Sequence, residues 1–221
     1  MAGTITALRF QKRNQDRVNV YLDDQFAFGL TAIKAVALRV GQALSDDDIA
    51  RLQEYDQVER ACERALNFLS YRPRSEAEVR RNLRRKKVDD EIVEAAVERL
   101  TRADLLNDLE FARYWVENRL QFNPRGARAL RYELGQKGVA ASIIAQVLED
   151  FDEESSARQA AEAGARRLAH LEIGDFCRKL KGYMTRRGFS YAVIEPLVAE
   201  MSEAVCCEHL SDVESEENDN D

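Results

Sequence analysis

The sequence predicts a mostly helical protein: three tandem three-helix repeats, preceded by a short β-rich segment and followed by a disordered acidic tail. From about residue 45 onward, apolar residues recur at the spacing of amphipathic helices, and only three prolines interrupt the 221 residues. The apolar pattern also recurs along the chain with a period of about fifty residues. Because one unit of this length buries little apolar surface, we expect stacked units that form an elongated, curved body.

The β-rich segment occupies the first thirty residues. Residues with high strand propensity predict strands over 5–10, 17–22 and 25–30. Asp23 and Asp24 stand between the last two strands and predict a tight turn, although a second aspartate is less suited to a positive φ than glycine. The start of the chain is therefore expected to form a small antiparallel sheet.

Helix signals follow this sheet. A short helix is predicted over 32–38, and a stronger start lies at Ser45, whose hydroxyl can cap a helix that begins with three aspartates. Ser75 and Glu78 have the spacing of a capping box and predict a second helix start. Every periodic segment beyond Ser45 is typical of a helix.

The internal repeat is the most informative feature of the sequence. Each repeat contains an apolar helix face, a basic turn, an apolar residue and a second apolar helix, and a further helix over 59–71, 109–121 or 156–170 precedes each pair. A shift of 51 residues and a further shift of 50 superpose three sets of apolar residues: Val79, Leu130 and Leu180; Leu83, Leu134 and Met184; Val97, Leu148 and Val198. These positions are predicted to form the core of each repeat.

The repeat predicts a β-rich extension with a short helix over 1–55, three-helix repeats over 56–106, 107–153 and 154–204, and an acidic tail over 205–221. The part of this tail after Cys207 holds seven acidic residues and no Lys or Arg, which leaves 33 acids against 33 bases in the rest of the chain. A segment so poor in apolar residues is expected to be disordered. It is either a solvated tail or a segment that competes with nucleic acid for a basic face.

Several classes of function lack support in the sequence. The chain has no P-loop, no glycine-rich dinucleotide turn and no nucleophile elbow, so neither enzymatic activity nor a cofactor is expected. Cys206, Cys207 and His209 lack a second ligand pair, so no metal is expected. The cysteines form no spaced framework and no apolar run is long enough to cross a bilayer, which favours a cytoplasmic protein without membrane contact. Without a heptad array, we expect a monomer.

The strongest candidate for a binding surface is a basic run in the first repeat. Six of the eight residues over 80–87 are basic: Arg80, Arg81, Arg84, Arg85, Lys86 and Lys87. On a helix these charges lie close together and repel each other, and an anionic partner such as phosphate or an acidic protein groove would offset the repulsion. The alternative is an ordinary solvated face that is neutralised by Glu76, Glu78 and the acids of the next helix.

Basic residues recur at related positions of the other two repeats. They are Arg125, Arg128, Arg131 and Lys137 in the second repeat, and Arg178, Lys179, Lys181, Arg186 and Arg187 in the third. If the repeats stack in similar orientation, these residues form a continuous basic stripe. Such a stripe predicts binding to single- or double-stranded DNA.

The aromatic residues support two interpretations. Phe111 and Trp115 lie four residues apart on one predicted helix, which favours a place in the core over stacking on bases. Tyr71, Tyr132 and Tyr183 lie within or next to basic runs and are candidates for exposed contacts.

An ordered set of segments resembles the RecX family, bacterial regulators of the RecA recombinase. The matching residues are Ser75-Glu76-Ala77-Glu78-Val79, Asp104-Leu105-Leu106-Asn107-Asp108, Phe111-Ala112, Gly126 and Leu134-Gly135-Gln136-Lys137-Gly138-Val139, together with Val20-Tyr21-Leu22-Asp23-Asp24 and Phe26-Ala27-Phe28 in the β-rich segment. The resemblance extends from about residue 5 to 201. Two features depart from the family pattern: Lys86-Lys87 stands where a glycine turn is usual, and the chain ends in the long acidic tail.

The resemblance implies a regulator that binds RecA and the groove of the RecA–DNA filament and that is expected to act as an inhibitor. Such a protein would limit filament assembly and activity in recombination, DNA repair and the SOS response. The basic residues named above would then contact the filament. The alternative is a DNA- or RNA-binding helical-repeat protein that acts alone.

Overall fold

The structure, a computed structural model, describes residues 2–218, with side chains described as far as Cys206. This part of the chain is mostly helical, as predicted, with a small sheet at its start. The chain divides into two compact units, Met1–Asn107 and Asp108–Asp221. No helix in the described part is long and apolar enough to cross a membrane.

The first unit begins with a four-stranded antiparallel sheet. Its strands are β1 (Gly3–Gln11), β2 (Asn14–Leu22), β3 (Gln25–Thr31) and β4 (Ala43–Leu44), in the order β3-β2-β1-β4. The three predicted strands are confirmed, whereas β4 is too short to leave a sequence pattern. Asp23 and Asp24 both have positive φ values, 46° and 67°, as a two-residue hairpin turn requires.

Two helices of very different length follow the strands. Helix α1 (Ala32–Ala35) ends earlier than predicted, whereas α2 (Asp46–Leu69) is a single long helix. The predicted cap is confirmed, because the Ser45 hydroxyl accepts a hydrogen bond from the Asp48 amide at 3.1 Å and the Asp48 carboxylate accepts one from the Ser45 amide. Since α2 contains neither proline nor glycine, it continues without a break through the domain boundary predicted between residues 55 and 56.

The sheet packs on the first half of α2. Ile5, Val20 and Leu30 are fully buried in the cluster that the sheet forms with α1 and α2. A buried ion pair reinforces this contact, with Arg17 on β2 donating to Asp56 on α2 at 2.6 Å. The sheet and the first repeat are therefore joined through one helix.

Three three-helix modules account for the other helices of the described chain. The first module contains the second half of α2, α3 (Glu76–Arg85) and α4 (Asp90–Arg102); the second contains α5 (Asp108–Phe122), α6 (Ala127–Gln136) and α7 (Ala141–Val147); the third contains α8 (Glu153–Leu168), α9 (Ile173–Arg186) and α10 (Tyr191–Asn218). Each module has its own apolar core. The predicted core positions of α3, α6 and α9 are completely buried: Val79, Leu83, Leu130, Leu134, Leu180 and Met184.

The turn that ends α3, α6 and α9 is the same in all three modules. The third residue beyond the helix donates its amide to a carbonyl in the last turn: Val88 to Leu83 at 3.3 Å, Val139 to Leu134 at 3.1 Å and Phe189 to Met184 at 3.4 Å. The preceding residue has a positive φ in each case: 59° at Lys87, 80° at Gly138 and 85° at Gly188. This is the hydrogen-bond pattern of a Schellman motif. Lys87 thus adopts the usual turn in spite of its side chain, at a cost of about 1 kcal/mol.

Gly126 marks a close approach between the second and third modules within the second unit. A Cβ atom at this position would overlap the carbonyl group of Gly188. The Gly126 amide donates to the Arg187 carbonyl at 3.0 Å, and the Ser156 hydroxyl donates to the Arg125 carbonyl at 3.1 Å. Backbone contacts of this kind fix the two modules to each other.

Helix α10 extends to Asn218, beyond the predicted end of the third repeat at residue 204. The prediction of a disordered acidic tail over 205–221 falls largely on residues whose side chains lie outside the described part of the chain. Disorder of this tail stays a prediction.

Candidate nucleic-acid interface

The basic residues of α3 form two groups in the structure. Arg80 donates to Glu76 and to Glu94, both at 2.9 Å, and Arg84 donates to Asp90 at 2.6 Å and to Glu94 at 3.1 Å. Burial disfavours the charge of Arg80, but the hydrogen bonds to Glu94 and Glu76 outweigh this effect and raise its pKa. These two arginines therefore belong to a network that joins α3 to α4, as expected for a neutralised face.

The second group points to solvent. Arg81, Arg85, Lys86 and Lys87 are exposed, and none of them has an ion-pair partner among the described residues. Four unpaired cations on one short helix and in the turn that follows it create a local positive potential. These four cations are therefore available to bind an anion.

The second module contributes cations that are more varied in their contacts. Arg131 is exposed, whereas Arg125 lies half-buried with its Nε 3.8 Å from Glu133. Arg128 donates to the Thr185 carbonyl at 3.2 Å. Lys137 lies over the ring of the only tryptophan, Trp115, with its Nζ 4.8 Å from the ring centroid. The second module therefore presents fewer unengaged charges than the first.

In the third module, two of the predicted cations are held by acids. Lys181 donates to Glu195 at 2.9 Å, which raises the lysine pKa, and Arg178 donates to Asp175 at 2.8 Å. Lys179 and Arg186 are exposed and have no ion-pair partner among the described residues.

Arg187 has a structural role in this module. Its guanidinium donates to the Asn123 side chain and to the Pro124 carbonyl, and it lies 4.4 Å from the centroid of the Tyr183 ring. Burial lowers its pKa, and Arg125 acts in the same direction. Because its donors serve the junction between modules, Arg187 is less available to a ligand than Lys179 or Arg186.

A cleft between α8 and α9 collects several of the unpaired cations. Its volume is about 380 Å³, and its walls are Gly164, Arg167, Leu168, Arg178, Lys179, Gly182, Tyr183 and Arg186. Arg167 is the one basic wall residue that the sequence did not single out. Its signal is weak, because α8 holds it beside Arg166 in a pair of arginines that looks like an ordinary exposed helix end.

The aromatic residues take the predicted places in part. Phe111 is buried, which confirms its assignment to the core. Trp115 is half-buried against the same core, and its indole Nε1 donates to Glu133 at 2.9 Å. Tyr71 and Tyr132 are largely exposed, as expected for contact residues.

The described side chains offer no group of three His, Cys, Asp or Glu residues that could hold a metal ion. The side chains of Cys207 and His209, considered above as metal ligands, lie outside the described residues. The fold and the surface thus define a class of protein: a helical-repeat protein whose modules carry exposed, unpaired cations.

Comparisons with known proteins identify the family. Residues 3–45 match the model of the regulatory protein RecX N-terminal domain, 61–100 match the first RecX three-helix domain, and 107–148 match the second. These matches together cover more than half of the chain. The chain belongs to the RecX family of regulatory proteins.

Individual relatives agree with this assignment. The chain is 34% identical to the regulatory protein RecX of Bacillus subtilis over 86% of its own length and 74% of the relative. It is 30% identical to that of Listeria monocytogenes serotype 4a, over 72% of the chain and 60% of the relative. A crystal structure of regulatory protein RecX superposes with a TM-score of 0.73 at 28% identity and covers 88% of this chain and 98% of that one.

Proposed function

We propose that this protein regulates the RecA recombinase, as an inhibitor that binds RecA and the groove of the RecA–DNA filament. The relatives named RecX regulatory protein support the class of function. The observation that carries the binding mode is the set of exposed, unpaired cations on α3 and in the turn that follows it, namely Arg81, Arg85, Lys86 and Lys87. A filament that contains DNA and an acidic protein surface offers the anions that these cations lack.

In the proposed mechanism the protein acts by binding to the filament and catalyses no reaction. Cations on successive modules neutralise phosphates or acidic side chains along the filament and release counterions, so that binding weakens as salt rises. A bound protein then limits further assembly in recombination, DNA repair and the SOS response. The protein acts in the cytoplasm without a catalytic group or a cofactor.

A titration of RecA tests this proposal. DNA-dependent ATP hydrolysis by RecA is measured with increasing amounts of the full chain. A filament regulator inhibits at amounts well below or near those of RecA, and excess DNA does not restore the activity. Unchanged hydrolysis at every dose would overturn the proposal.

The second candidate is a DNA- or RNA-binding protein that acts alone, which the same unpaired cations favour. In that case inhibition requires enough protein to cover the DNA, and added DNA restores hydrolysis.

Two triple variants separate the proposed surface from general charge. Changing Arg81, Arg85 and Lys86 to alanine should weaken inhibition and flatten its salt dependence. Changing Lys12, Arg13 and Arg39, which are also exposed but lie in the β-rich segment, removes the same charge and should leave inhibition unaltered. Equal effects of the two triple variants would refute the role assigned to α3.

A further inference from the structure

The cleft between α8 and α9 makes part of the basic surface concave. Gly164 lets the two helices approach closely, since a Cβ there would lie 2.8 Å from Leu180 and 3.1 Å from the Tyr183 ring. Gly182 leaves the floor open, and the nearest atom to a Cβ at this position would be the Arg186 guanidinium at 3.2 Å. Two glycines thus create the space that the surrounding cations face.

The walls of the cleft combine charge with apolar surface. Arg167, Lys179 and Arg186 supply three positive charges without an ion-pair partner in the described chain, and Arg178, which donates to Asp175, supplies a fourth. None of the wall residues is acidic. Tyr183 and Leu168 supply the apolar part of the wall. At about 380 Å³ the cleft lies at the lower end of the range of small-molecule sites, which is about 300–1,000 Å³.

The first module contains a related cleft that is smaller and has an acid in its wall. A shift of 101 residues places Lys179, Gly182, Tyr183 and Arg186 on Glu78, Arg81, Asn82 and Arg85, and these four residues of the first module also line a cleft together with Phe68. Its volume is only about 150 Å³. Its wall includes the carboxylate of Glu78, which accepts two hydrogen bonds from Arg72.

The second module has an acid at a further equivalent position. Glu133 stands where the third module has Tyr183, and its carboxylate accepts hydrogen bonds from Trp115 and Arg119 at 2.9 and 2.7 Å. The third module therefore lacks the acid that the first module has at one of these positions and the acid that the second module has at another. It has lysine in place of the glutamate of the first module and tyrosine in place of the glutamate of the second, and glycine in place of Arg81 enlarges the space.

We propose that the cleft between α8 and α9 is a binding site for one nucleotide unit of single-stranded DNA. The phosphate lies among Lys179, Arg186 and the neighbouring arginines, and the base lies against Tyr183 and Leu168. Single-strand binding sites elsewhere combine a positive groove with an aromatic platform in this way. This inference deepens the proposed function, because three cations of the cleft belong to the basic surface already described.

Two substitutions test the cleft without RecA, so that failure of the cleft is distinct from failure of RecA regulation. Lys179→Glu restores the acid of the first module, and Gly182→Leu fills the floor without removing a charge. Binding of the full chain to a fluorescein-labelled oligo(dT) is followed by fluorescence anisotropy over a series of salt concentrations. Lys179→Glu should lower the affinity roughly tenfold, and both variants should reduce the salt slope by about 0.7 for each phosphate that the protein no longer neutralises.

Matched controls separate the cleft from charge and from helix propensity. Arg166→Glu reverses a charge on exposed α8 surface outside the cleft, and Gly174→Leu makes the same change as Gly182→Leu at a position in α9 where a Cβ meets nothing within 4 Å. Both controls should bind oligo(dT) within about twofold of the unaltered chain. Circular dichroism verifies that all four variants keep their helix content.

The outcomes are distinct. If Gly182→Leu binds oligo(dT) with wild-type affinity, or if Lys179→Glu and Arg166→Glu lose equal affinity, the cleft is not the binding site. This conclusion holds even if RecA inhibition persists. Competition with free dTMP identifies the source of the phosphate. If dTMP binds the intact cleft more tightly than oligo(dT) does, the site serves a free nucleotide and its assignment to DNA is overturned. Weaker competition by dTMP than by unlabelled oligo(dT), together with the Gly182→Leu loss, supports a backbone nucleotide.

Discussion

Replacing Asp56 with alanine tests how the β-rich segment is held on the first module. Asp56 lies on α2 with only 8% of its side chain exposed, and its carboxylate forms ion pairs with two arginines. Arg17 of β2 approaches Oδ1 at 2.6 Å, and Arg60 of α2 approaches Oδ2 at 2.9 Å. Arg17 is equally buried, and its NH1 has no hydrogen-bond partner within the described chain. Without Asp56, therefore, a buried guanidinium loses its counter-charge.

The size of the effect follows from this burial. Removing one partner of a buried ion pair destabilises a protein by about 3–5 kcal/mol, whereas an exposed pair contributes about 0–1 kcal/mol. Arg60 is half-exposed and can be solvated after the change, so most of the loss comes from Arg17. At about 2–4 °C per kcal/mol for a chain of this size, the melting temperature should fall by roughly 10 °C.

Urea unfolding followed by far-ultraviolet circular dichroism measures the free energy of unfolding. The double variant Arg17→Leu with Asp56→Leu is the informative control, because it replaces the buried pair with apolar side chains and should recover most of the stability. A loss below about 1 kcal/mol in Asp56→Ala would show that the pair behaves as a surface pair and would refute the argument. Failure of the double variant to recover would show that side-chain shape, rather than unpaired charge, dominates.

Three further predictions concern stability and reactivity. Gly126→Ala should destabilise the protein by about 3 kcal/mol or more in urea unfolding, because the new Cβ overlaps backbone, whereas Gly135→Ala in open helix surface should stabilise it by about 0.5–1 kcal/mol. Lys87→Gly should raise the free energy of unfolding by about 1 kcal/mol, since it removes a left-handed non-glycine residue. Burial raises the pKa of the Cys62 thiol and so lowers its thiolate fraction at any pH below that pKa. A thiol reagent at mildly alkaline pH should therefore label exposed Cys206 first and reach Cys62 only on unfolding.

The sequence predicts the modules well because their signals are local or periodic. The caps at Ser45 and Ser75 act over three residues, and the core positions recur in all three repeats, so each repeat supports the interpretation of the others. The boundary at 55 and 56 has no such signal. A helix interior that contains no glycine or proline looks the same whether one or two domains share it.

The contacts of the basic residues could not be predicted to the same extent. The run over 80–87 is visible in the sequence, but which of its cations are paired depends on the position of α4, whose Glu94 approaches both Arg80 and Arg84. The cleft of the third module is still less visible. It depends on two glycines that are far apart in sequence, Gly164 and Gly182, and on the packing of α8 against α9.

The recurrence of basic residues at the ends of α3, α6 and α9 has a structural explanation for some of its members. A cation in the last turn interacts favourably with the helix dipole, by about 0.3–1 kcal/mol, and Arg85 and Arg186 stand in this position. Arg81 and Lys179 stand before the last turn and have no ion-pair partner in the described chain, so the dipole does not explain them. Arg85→Ala should therefore lower both the free energy of unfolding and DNA affinity, whereas Arg81→Ala should lower DNA affinity alone. An equal loss of stability in both variants, measured by urea unfolding beside oligo(dT) binding, would show that the basic run serves the fold rather than a ligand.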